Sequence, residues 1–260
     1  MNQALQNNLY QRAQALKLYG LLAHWEQVKT AAWVADLISW EDIQRSDRSL
    51  QRRLGHARIG RFKPLAQFDW SWPKQCDRQA IEELLSLEFL ANATNVILSG
   101  PNGVGKSTIA CNIAYQAVLN GHTALLTTAG QMLNDLAAQD GDRALHRRIQ
   151  HYAKPTLLCI DEVGYLSYSN RHADLLFEVI SRRYEKKSTL VTTNKPFSEW
   201  AEIFPNASCV VSLIDRLVHH SEIISIEAES FRLKEATEKT LQRKRARTQR
   251  KNQSSAQLLP

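Results

Sequence analysis

The chain has 260 residues, of which 43% are hydrophobic and 23% are charged. This composition is typical of globular proteins and excludes a fibrous or wholly disordered chain, and the length allows one or two domains. No segment has the roughly 18 consecutive apolar residues that a membrane-spanning helix needs, and the first residues lack the features of a secretory signal. We therefore predict a cytoplasmic protein without a membrane partner.

The net charge of +7 is unevenly distributed along the chain. Residues 1–63 contain ten basic and five acidic side chains, residues 64–238 contain sixteen and twenty-one, and the last twenty-two residues contain seven basic and no acidic ones. Two basic ends therefore flank a mildly acidic middle. Such ends favour a polyanionic partner, for which nucleic acid is the natural candidate in a cytosol.

The first 66 residues have helical patterning. An apolar face is predicted from residues at three- and four-residue steps, namely Leu18, Leu21, Leu22, Trp25 and Val28. A basic helix is expected to follow, and its candidate DNA contacts are Arg45, Arg48, Arg52, Arg53, Arg58, Arg61 and Lys63. The alternative is a merely solvated helix face, with DNA lying instead against Arg143, Arg147 and Arg148. We predict an all-helical, DNA-binding domain over residues 1–66.

An aromatic segment, FDWSWP at residues 68–73, follows Pro64 and predicts an extended connector at a domain boundary. Beyond it, short apolar runs predict strands at residues 95–99, 123–128, 157–160, 189–193 and 223–226, with helical patterns between them. This alternation is typical of an α/β domain with a parallel sheet covered on both faces. The domain is predicted to span residues 67–238, and the basic tail, 239–260, to be disordered by itself.

A glycine-rich motif follows the first predicted strand. Residues 100–107 read GPNGVGKS and fit the pattern GxxxxGK[ST] at every fixed position, between a strand and a helix. Glycines let backbone N–H groups turn towards a phosphate, and the positive end of the next helix faces the same charge. The motif therefore predicts an ATP and Mg²⁺ site, with a chance glycine-rich turn as the alternative. The predicted nucleotide contacts are Gly100, Pro101, Asn102, Gly103, Val104, Gly105, Lys106, Ser107 and Thr108.

Within this motif, Lys106 is expected to reach the β- and γ-phosphates, and the Ser107 hydroxyl to ligate Mg²⁺. Two acids, Asp161 and Glu162, end the third predicted strand. Asp161 is expected to hold Mg²⁺ through water, and Glu162 to orient and deprotonate the attacking water. Acids at a strand end are common because they often cap the next helix. Together with the glycine-rich phosphate-binding motif of residues 100–107 (the P-loop), however, the two acids favour a hydrolase over a kinase.

The sequence allows two interpretations for the role of each of two further polar residues. Asn194 follows the fourth predicted strand, where an amide can bond both the lytic water and the γ-phosphate, although the tripeptide TTN is equally compatible with an ordinary turn. Arg216 is compatible with an arginine finger presented to a neighbouring subunit, or with an internal pair to Asp215. Spacing alone favours the internal pair.

His219 and His220 are adjacent in the sequence. A metal or acid–base site needs convergent side chains, whereas adjacent residues on a helix point in different directions. The sequence therefore favours a packing or surface role for this pair.

The stretch from Phe177 to Leu233 resembles the IstB-type helper ATPases of insertion sequences, which are AAA+ proteins close to bacterial replicative helicase loaders. The combination of RRYE at 182–185, TTN at 192–194, EW at 199–200 and DRLVHH at 215–220 is more specific than a P-loop. The resemblance implies an AAA+ P-loop NTPase with a five-stranded parallel sheet, preceded by a small all-helical domain. It also implies that Asn194 is the sensor-1 residue and Arg216 the trans-acting finger, which reverses the preference from spacing.

By the same resemblance, the protein is expected to be a DNA-stimulated ATPase that self-associates head-to-tail on duplex DNA, largely independently of sequence, and activates a cognate transposase. The alternative is a helicase loader, which would prefer single strands and dock a hexameric helicase. A third possibility, an adaptor that binds ATP without turnover, is disfavoured by the intact Glu162.

Overall fold

A six-stranded sheet forms the centre of the larger of two units in the computed structural model, which describes residues 3–165, 168–204, 208–237 and 239–240. The strands are β1 (Gln75–Cys76), β2 (Asn95–Ser99), β3 (Ala124–Thr128), β4 (Leu157–Val163), β5 (Ser188–Thr193) and β6 (Ser221–Glu227). Their order across the sheet is β1-β6-β2-β5-β4-β3. The predicted five parallel strands are confirmed. The sixth strand, β1, is antiparallel to β6 and is too short to show a sequence pattern.

Residues 231–237 are helical, and twelve further α-helices are present among the described residues. They are α1 (Gln3–Ala15), α2 (Tyr19–Ala23), α3 (Trp25–Val28), α4 (Ala32–Ala57), α5 (Arg78–Leu84), α6 (Glu88–Ala91), α7 (Lys106–Leu119), α8 (Ala129–Ala137), α9 (Asp142–Ala153), α10 (Asn170–Arg183), α11 (Trp200–Ile203) and α12 (Val210–Val218). One apolar core joins α8, α9, α10 and α12 to side chains of the sheet, including Leu158, Ile160 and Val191. Leu158 and Ile160 share a face because alternate strand residues point the same way. Helix α7 contacts β3, β4 and β5 through its own buried side chains.

The smaller unit comprises residues 1–55, and its described part, residues 3–55, is all-helical, as predicted. Its core contains Leu9, Ala13, Leu16, Trp25, Val34 and Ile38, and the predicted apolar face of residues 18–28 packs into it. That face lies on the short helices α2 and α3 rather than on one continuous helix. The two helices are separated at His24, which adopts φ −110° and ψ 18°, and no glycine or proline at that position signals the break.

The boundary between the two units lies between Gly55 and His56, eleven residues before the boundary expected at 66. The predicted basic helix ends at Ala57, so Arg58, Arg61 and Lys63 lie beyond it. The segment after it packs along α7 of the larger unit: the Asn112 amide donates to the carbonyl of Lys63 at 2.9 Å, and its oxygen accepts the N–H of Leu65 at 2.9 Å. These two hydrogen bonds explain why the residues before Pro64 belong to the larger unit.

The predicted basic tail, 239–260, lies outside the described residues from position 241 onwards. Within the part of the chain that the structure describes, no helix combines the length and the apolar character needed to cross a membrane.

A buried arginine forms hydrogen bonds that connect chain segments at the amino-terminal edge of the sheet. Arg183, at the end of α10, is only 1% exposed. Its guanidinium donates to the Thr189 hydroxyl and to the carbonyl oxygens of Tyr152, Ala153, Pro155, Thr156 and Ser188. Burial lowers its pKa to about 9, which leaves it charged at neutral pH. One side chain thus joins the end of α9 to the start of β5.

We expect Arg183→Ala to lower the free energy of unfolding by at least about 3 kcal/mol, because several buried carbonyls lose their donor at once. The matched control is Arg182→Ala, which removes a partly exposed pair with Glu178 and a contact of 3.4 Å with His146 Nδ1, and it should cost less than about 1 kcal/mol. Denaturant unfolding monitored by circular dichroism measures both. Equal losses for the two variants would contradict the role given to Arg183.

Candidate functional site

The loop of residues 100–105 connects β2 to α7 and depends on its glycines. Gly100 and Gly105 adopt φ 151° and 106°, values that side chains with a Cβ rarely take. A Cβ at Gly100 would lie 2.2 Å from the carbonyl oxygen of Ile226, and one at Gly105 would lie 2.4 Å from the ring of Phe68. Both positions therefore admit only glycine, and the loop takes the strand–loop–helix setting that the motif predicts.

Lys106 begins α7 and is almost completely buried. Its ammonium group donates to the carbonyl oxygens of Gly100 at 2.6 Å and Pro101 at 2.7 Å. Burial lowers the pKa of Lys106, the negative charge of Asp161 opposes that shift, and the positive charge of Arg232 adds to it. Neutral carbonyls do not compensate the ammonium charge, so the loop presents a buried cation at the positive end of a helix. This arrangement suits an anion.

Strand β5 lies between β2 and β4, so the carboxyl ends of all three strands meet beside Lys106. There, the Oδ1 atom of Asp161 accepts the hydroxyl protons of Ser107, at 3.0 Å, and Thr192, at 2.5 Å. Ser107 and Asp161, which the sequence places 54 positions apart, are thus direct neighbours. A hydroxyl and a carboxylate are oxygen donors of the kind that Mg²⁺ prefers, so the two residues fit this ion.

Glu162 has a strained backbone that turns it towards the same cavity. It adopts φ 62°, and the pairing of β4 with β5 shifts register between Ile160 and Val163. Its N–H donates to the Thr192 hydroxyl at 2.9 Å, which holds the irregular backbone in place. Bulges and left-handed conformations of non-glycine residues recur at functional sites, where surrounding contacts maintain the strain.

Asn194 follows β5 and contributes to the same cavity. Its Oδ1 atom is buried, and among the described residues it has no hydrogen-bond donor. A buried carbonyl oxygen without a donor costs roughly 1–3 kcal/mol. The oxygen is therefore placed to accept a hydrogen bond from a bound molecule, and water is the simplest donor that fits.

The wall of the cavity comes from two segments far apart in sequence. Phe68, in the predicted connector, lies against Gly105. The indole N–H of Trp72 donates to the carbonyl of Glu229 at 2.9 Å, and the N–H of Phe231 donates to the carbonyl of Gly103 at 3.0 Å. Together with the P-loop they enclose a cavity of about 450 Å³. That volume falls within the range of small-ligand sites.

Two ion pairs join these wall segments. Lys63 lies 2.7 Å from Glu235, and Lys234 lies 3.4 Å from Asp69. Arg232 also contributes to the lining of the cavity. The FDWSWP segment is therefore part of the site rather than only a connector, and its three aromatic residues among six were the available signal. Thr192 was likewise not predicted as a site residue, although a hydroxyl side chain near the end of a buried strand was an available signal.

Arg216 lies at the opposite edge of the sheet. Its neighbour Leu217 accepts a hydrogen bond at 3.1 Å from the side chain of Asn95, the first residue of β2, whereas the P-loop follows the last residue of β2. A strand of that length spans about 13 Å at roughly 3.3 Å per residue. Arg216 therefore does not reach the P-loop of its own chain.

The guanidinium of Arg216 packs on α10. It lies 4.5 Å from the ring centre of Phe177 and 5.9 Å from that of Tyr184, and it donates to the Ser181 hydroxyl. Among the described residues, no carboxylate lies within salt-bridge distance of it, so the alternative pair with Asp215 does not form. Aromatic rings and a hydroxyl hold the side chain without neutralising its charge.

The seven candidate DNA contacts do not form one group. Arg45, Arg48, Arg52 and Arg53 lie on α4, where Arg45 pairs with Glu41 at 3.1 Å. Arg61 and Lys63 instead contribute to the lining of the cavity beside the P-loop. The prediction of a single basic helix is therefore wrong for the residues after Ala57, because the chain leaves the helix at Arg58 with φ 55°.

Comparison with known proteins gives consistent matches. The model of the IstB-like ATP binding protein family matches residues 2–239. The ATP-binding protein of insertion sequence IS21 from Pseudomonas aeruginosa is 38% identical over 191 residues, which is 74% of this chain and 72% of that protein. The corresponding protein of IS5376 from Geobacillus stearothermophilus is 35% identical over 199 residues, covering 76% and 79%. The crystal structure of DnaI aligns with a TM-score of 0.55 over 65% of this chain and 92% of its own, at 18% identity, which supports the fold.

We expect Lys106→Ala to weaken ATP binding at least about tenfold, because it removes the buried cation that faces the phosphates. Calorimetric titration with ATP and Mg²⁺ measures the change. The matched control is Lys186→Ala, an exposed lysine in the turn before β5, which should bind ATP like the wild type. An unchanged affinity in the Lys106 variant would refute the assignment of the site.

Proposed function

Because the chain belongs to the IstB-like ATP-binding family, we propose that it is a transposition helper that hydrolyses ATP while assembled on duplex target DNA and then activates a separate transposase. The observation that supports hydrolysis most directly is the convergence of Lys106, Asp161 and Glu162 at the carboxyl ends of neighbouring strands. A site for nucleotide binding alone would not need the strained glutamate.

The geometry suggests a role for each residue. Ser107 and Asp161 would hold Mg²⁺, which neutralises charge on the β- and γ-phosphates. Lys106 exchanges its two carbonyl partners for phosphate oxygens. Glu162 accepts a proton from the attacking water, whose oxygen bonds to the γ-phosphorus as ADP leaves. The unpaired Asn194 oxygen accepts the other proton of that water in a hydrogen bond and so fixes its direction of attack.

Arg216 is proposed to complete the site of another subunit. An arginine held away from its own P-loop, with no acidic partner among the described residues, keeps its charge available for the γ-phosphate of a second copy. Such a contact joins two different surfaces of the chain. Repeating it produces head-to-tail assemblies, either rings or open helices.

DNA binding is proposed to involve the exposed arginines of α4, and to be largely independent of sequence because no pattern in this segment indicates base reading, which leaves phosphate contacts as its source of affinity. The alternative surface is α9, where Arg143 and Arg147 are exposed and Arg148 pairs with Asp135. These two sets lie in different units and can be removed separately.

We expect Glu162→Gln to bind ATP normally and to hydrolyse it about a hundredfold more slowly, the scale of losing a general base. The exposed Glu202→Gln on α11 is the control and should retain wild-type turnover. Steady-state phosphate release gives the rates. Wild-type turnover in the Glu162 variant would mean that another group activates the water.

The same variant tests the wider proposal, because a complex that cannot hydrolyse ATP should persist on DNA. Sedimentation with duplex or single-stranded DNA, in ATP and in ADP, should give large assemblies only with duplex and ATP. Assembly restricted to single strands would favour a helicase loader instead. No assembly on either substrate would refute both proposals.

For Arg216→Ala we expect intact ATP binding, no DNA-stimulated hydrolysis and poor assembly. A mixture with Glu162→Gln protein should regain activity, because each variant supplies the half of a shared site that the other lacks. Asp215→Asn is the control and should behave as wild type. Absence of complementation, at concentrations where the wild type assembles, would contradict a trans-acting role.

Replacing Arg48, Arg52 and Arg53 together with alanine should reduce the salt dependence of duplex binding by up to about 3 in the slope of log K against log salt, near one unit per phosphate contact. The comparison is the triple replacement of Arg143, Arg147 and Arg148 on α9. Fluorescence anisotropy over a salt series measures both slopes. An unchanged slope in the α4 variant with a reduced slope in the α9 variant would move the DNA site to α9.

A further inference from the structure

Three metal-ligating side chains converge at the amino-terminal edge of the sheet, away from the P-loop. They are Glu185, His219 and His220. Glu185 Oε1 lies 3.9 Å from His219 Nδ1 and 3.6 Å from His220 Nε2, and the three donor atoms all lie within 4.8 Å of one another. All three residues are exposed.

The backbone explains how two adjacent histidines face the same carboxylate. Helix α12 ends at Val218, and His219 follows as its C-cap, still in the right-handed helical region at φ −51° and ψ −44°. The His219 and His220 ring centres are 4.1 Å apart. Glu185 adopts φ 54° just after α10, and this left-handed turn brings its carboxylate back towards α12. Both rings therefore lie beside one carboxylate, although the residues are adjacent at a helix end.

The surroundings favour a cation at this point. The carboxyl ends of α10 and α12 both lie next to the three side chains, and each carries the negative end of a helix dipole. The charged and titratable groups nearby are Tyr184, whose hydroxyl lies 2.8 Å from His219 Nδ1, Arg216, whose guanidinium lies 5.9 Å from the Tyr184 ring centre, and the exposed Lys186 and Asp215. One carboxylate and two imidazoles thus sit where two helix ends add negative potential.

We propose that Glu185, His219 and His220 form a binding site for a divalent transition-metal ion, with Zn²⁺ as the best-fitting candidate. Zinc–ligand distances of about 2.0–2.1 Å place the donors of a tetrahedral site roughly 3.3 Å apart. The separations of 3.6 and 3.9 Å need only small side-chain rotations to reach that value. Two imidazole nitrogens favour zinc over Mg²⁺ or Ca²⁺, and water fills the fourth position.

Such an ion would join the two helices that hold Arg216. Tyr184 contacts both the Arg216 guanidinium and the His219 ring, so the metal site and the arginine share a neighbour. With zinc bound, the Tyr184 hydroxyl turns from His219 Nδ1 to water or to the Glu185 carboxylate. The ion then fixes the end of α12 on α10 and restrains the helix that carries Arg216.

The test is titration of the full chain with Zn²⁺, without nucleotide, at pH 7.5, by calorimetry against a chelator of known affinity. We expect one site that His219→Gln and His220→Gln each weaken at least tenfold, and that Glu185→Gln also weakens. His24→Gln, an exposed histidine of the smaller unit, is the matched control and should leave binding unchanged. All variants keep the four cysteines, so zinc bound by thiols appears equally in each.

A second readout separates a metal site from a simple histidine–glutamate pair. Zinc should raise the melting temperature of the wild type and not that of the double variant His219→Gln/His220→Gln, because only the wild type gains binding free energy in the folded state. Circular dichroism confirms that the exposed substitutions leave the fold intact. Zinc affinity equal in all variants, or no binding tighter than that of the double variant, would overturn the proposal.

Discussion

The nucleotide site depends on the hydrogen bonds that the carboxylate of Asp161 accepts. This carboxylate accepts hydroxyl protons from Ser107, at the start of α7, and from Thr192, at the end of β5. The Thr192 oxygen in turn accepts the N–H of Glu162. One short chain of hydrogen bonds therefore fixes the side chain of one acid and the backbone of the other. It is possible only because β5 lies between β2 and β4.

The two edges of the sheet differ in how their polar groups are satisfied. Among the described residues of the carboxyl edge, Lys106 is buried without a counter-charge in contact, Asn194 keeps an unpaired oxygen and Glu162 holds a strained backbone. At the amino edge, Arg183 has six acceptors. The fold thus concentrates unsatisfied groups where a ligand can satisfy them, and secures the opposite edge with a fully bonded cation.

The wall of the cavity includes the segment that follows α4. Residues 61–72 follow α4 and contact the P-loop through Phe68 and the carboxyl-terminal segment through Trp72. The Lys63–Glu235 and Lys234–Asp69 pairs close the same wall. The residues that follow α4 therefore form part of the cavity wall together with the carboxyl-terminal segment.

The sequence by itself determined the parallel sheet, the P-loop and the two acids near the end of β4, because each has a local signature. Apolar runs marked five strands, and the glycine spacing of residues 100–107 reported a backbone requirement that Gly100 and Gly105 meet in the structure. It also indicated Asn194 and Arg216, but only through resemblance to a family. Their spacing alone left an ordinary turn and an internal Asp215 pair as alternatives.

Only the tertiary structure decided which distant residues share the site. Thr192 matters because strand order places β5 beside β4, and strand order is not encoded in the periodicity of any one segment. The aromatic wall arises because residues 68–72 meet residues 229–231, more than 150 positions later. Glu185 reaches His219 and His220 because two helices end side by side. Local patterns specify how a segment folds. Contacts between distant segments depend instead on the free energy of packing the whole chain. For this physical reason, no local sequence pattern predicts them.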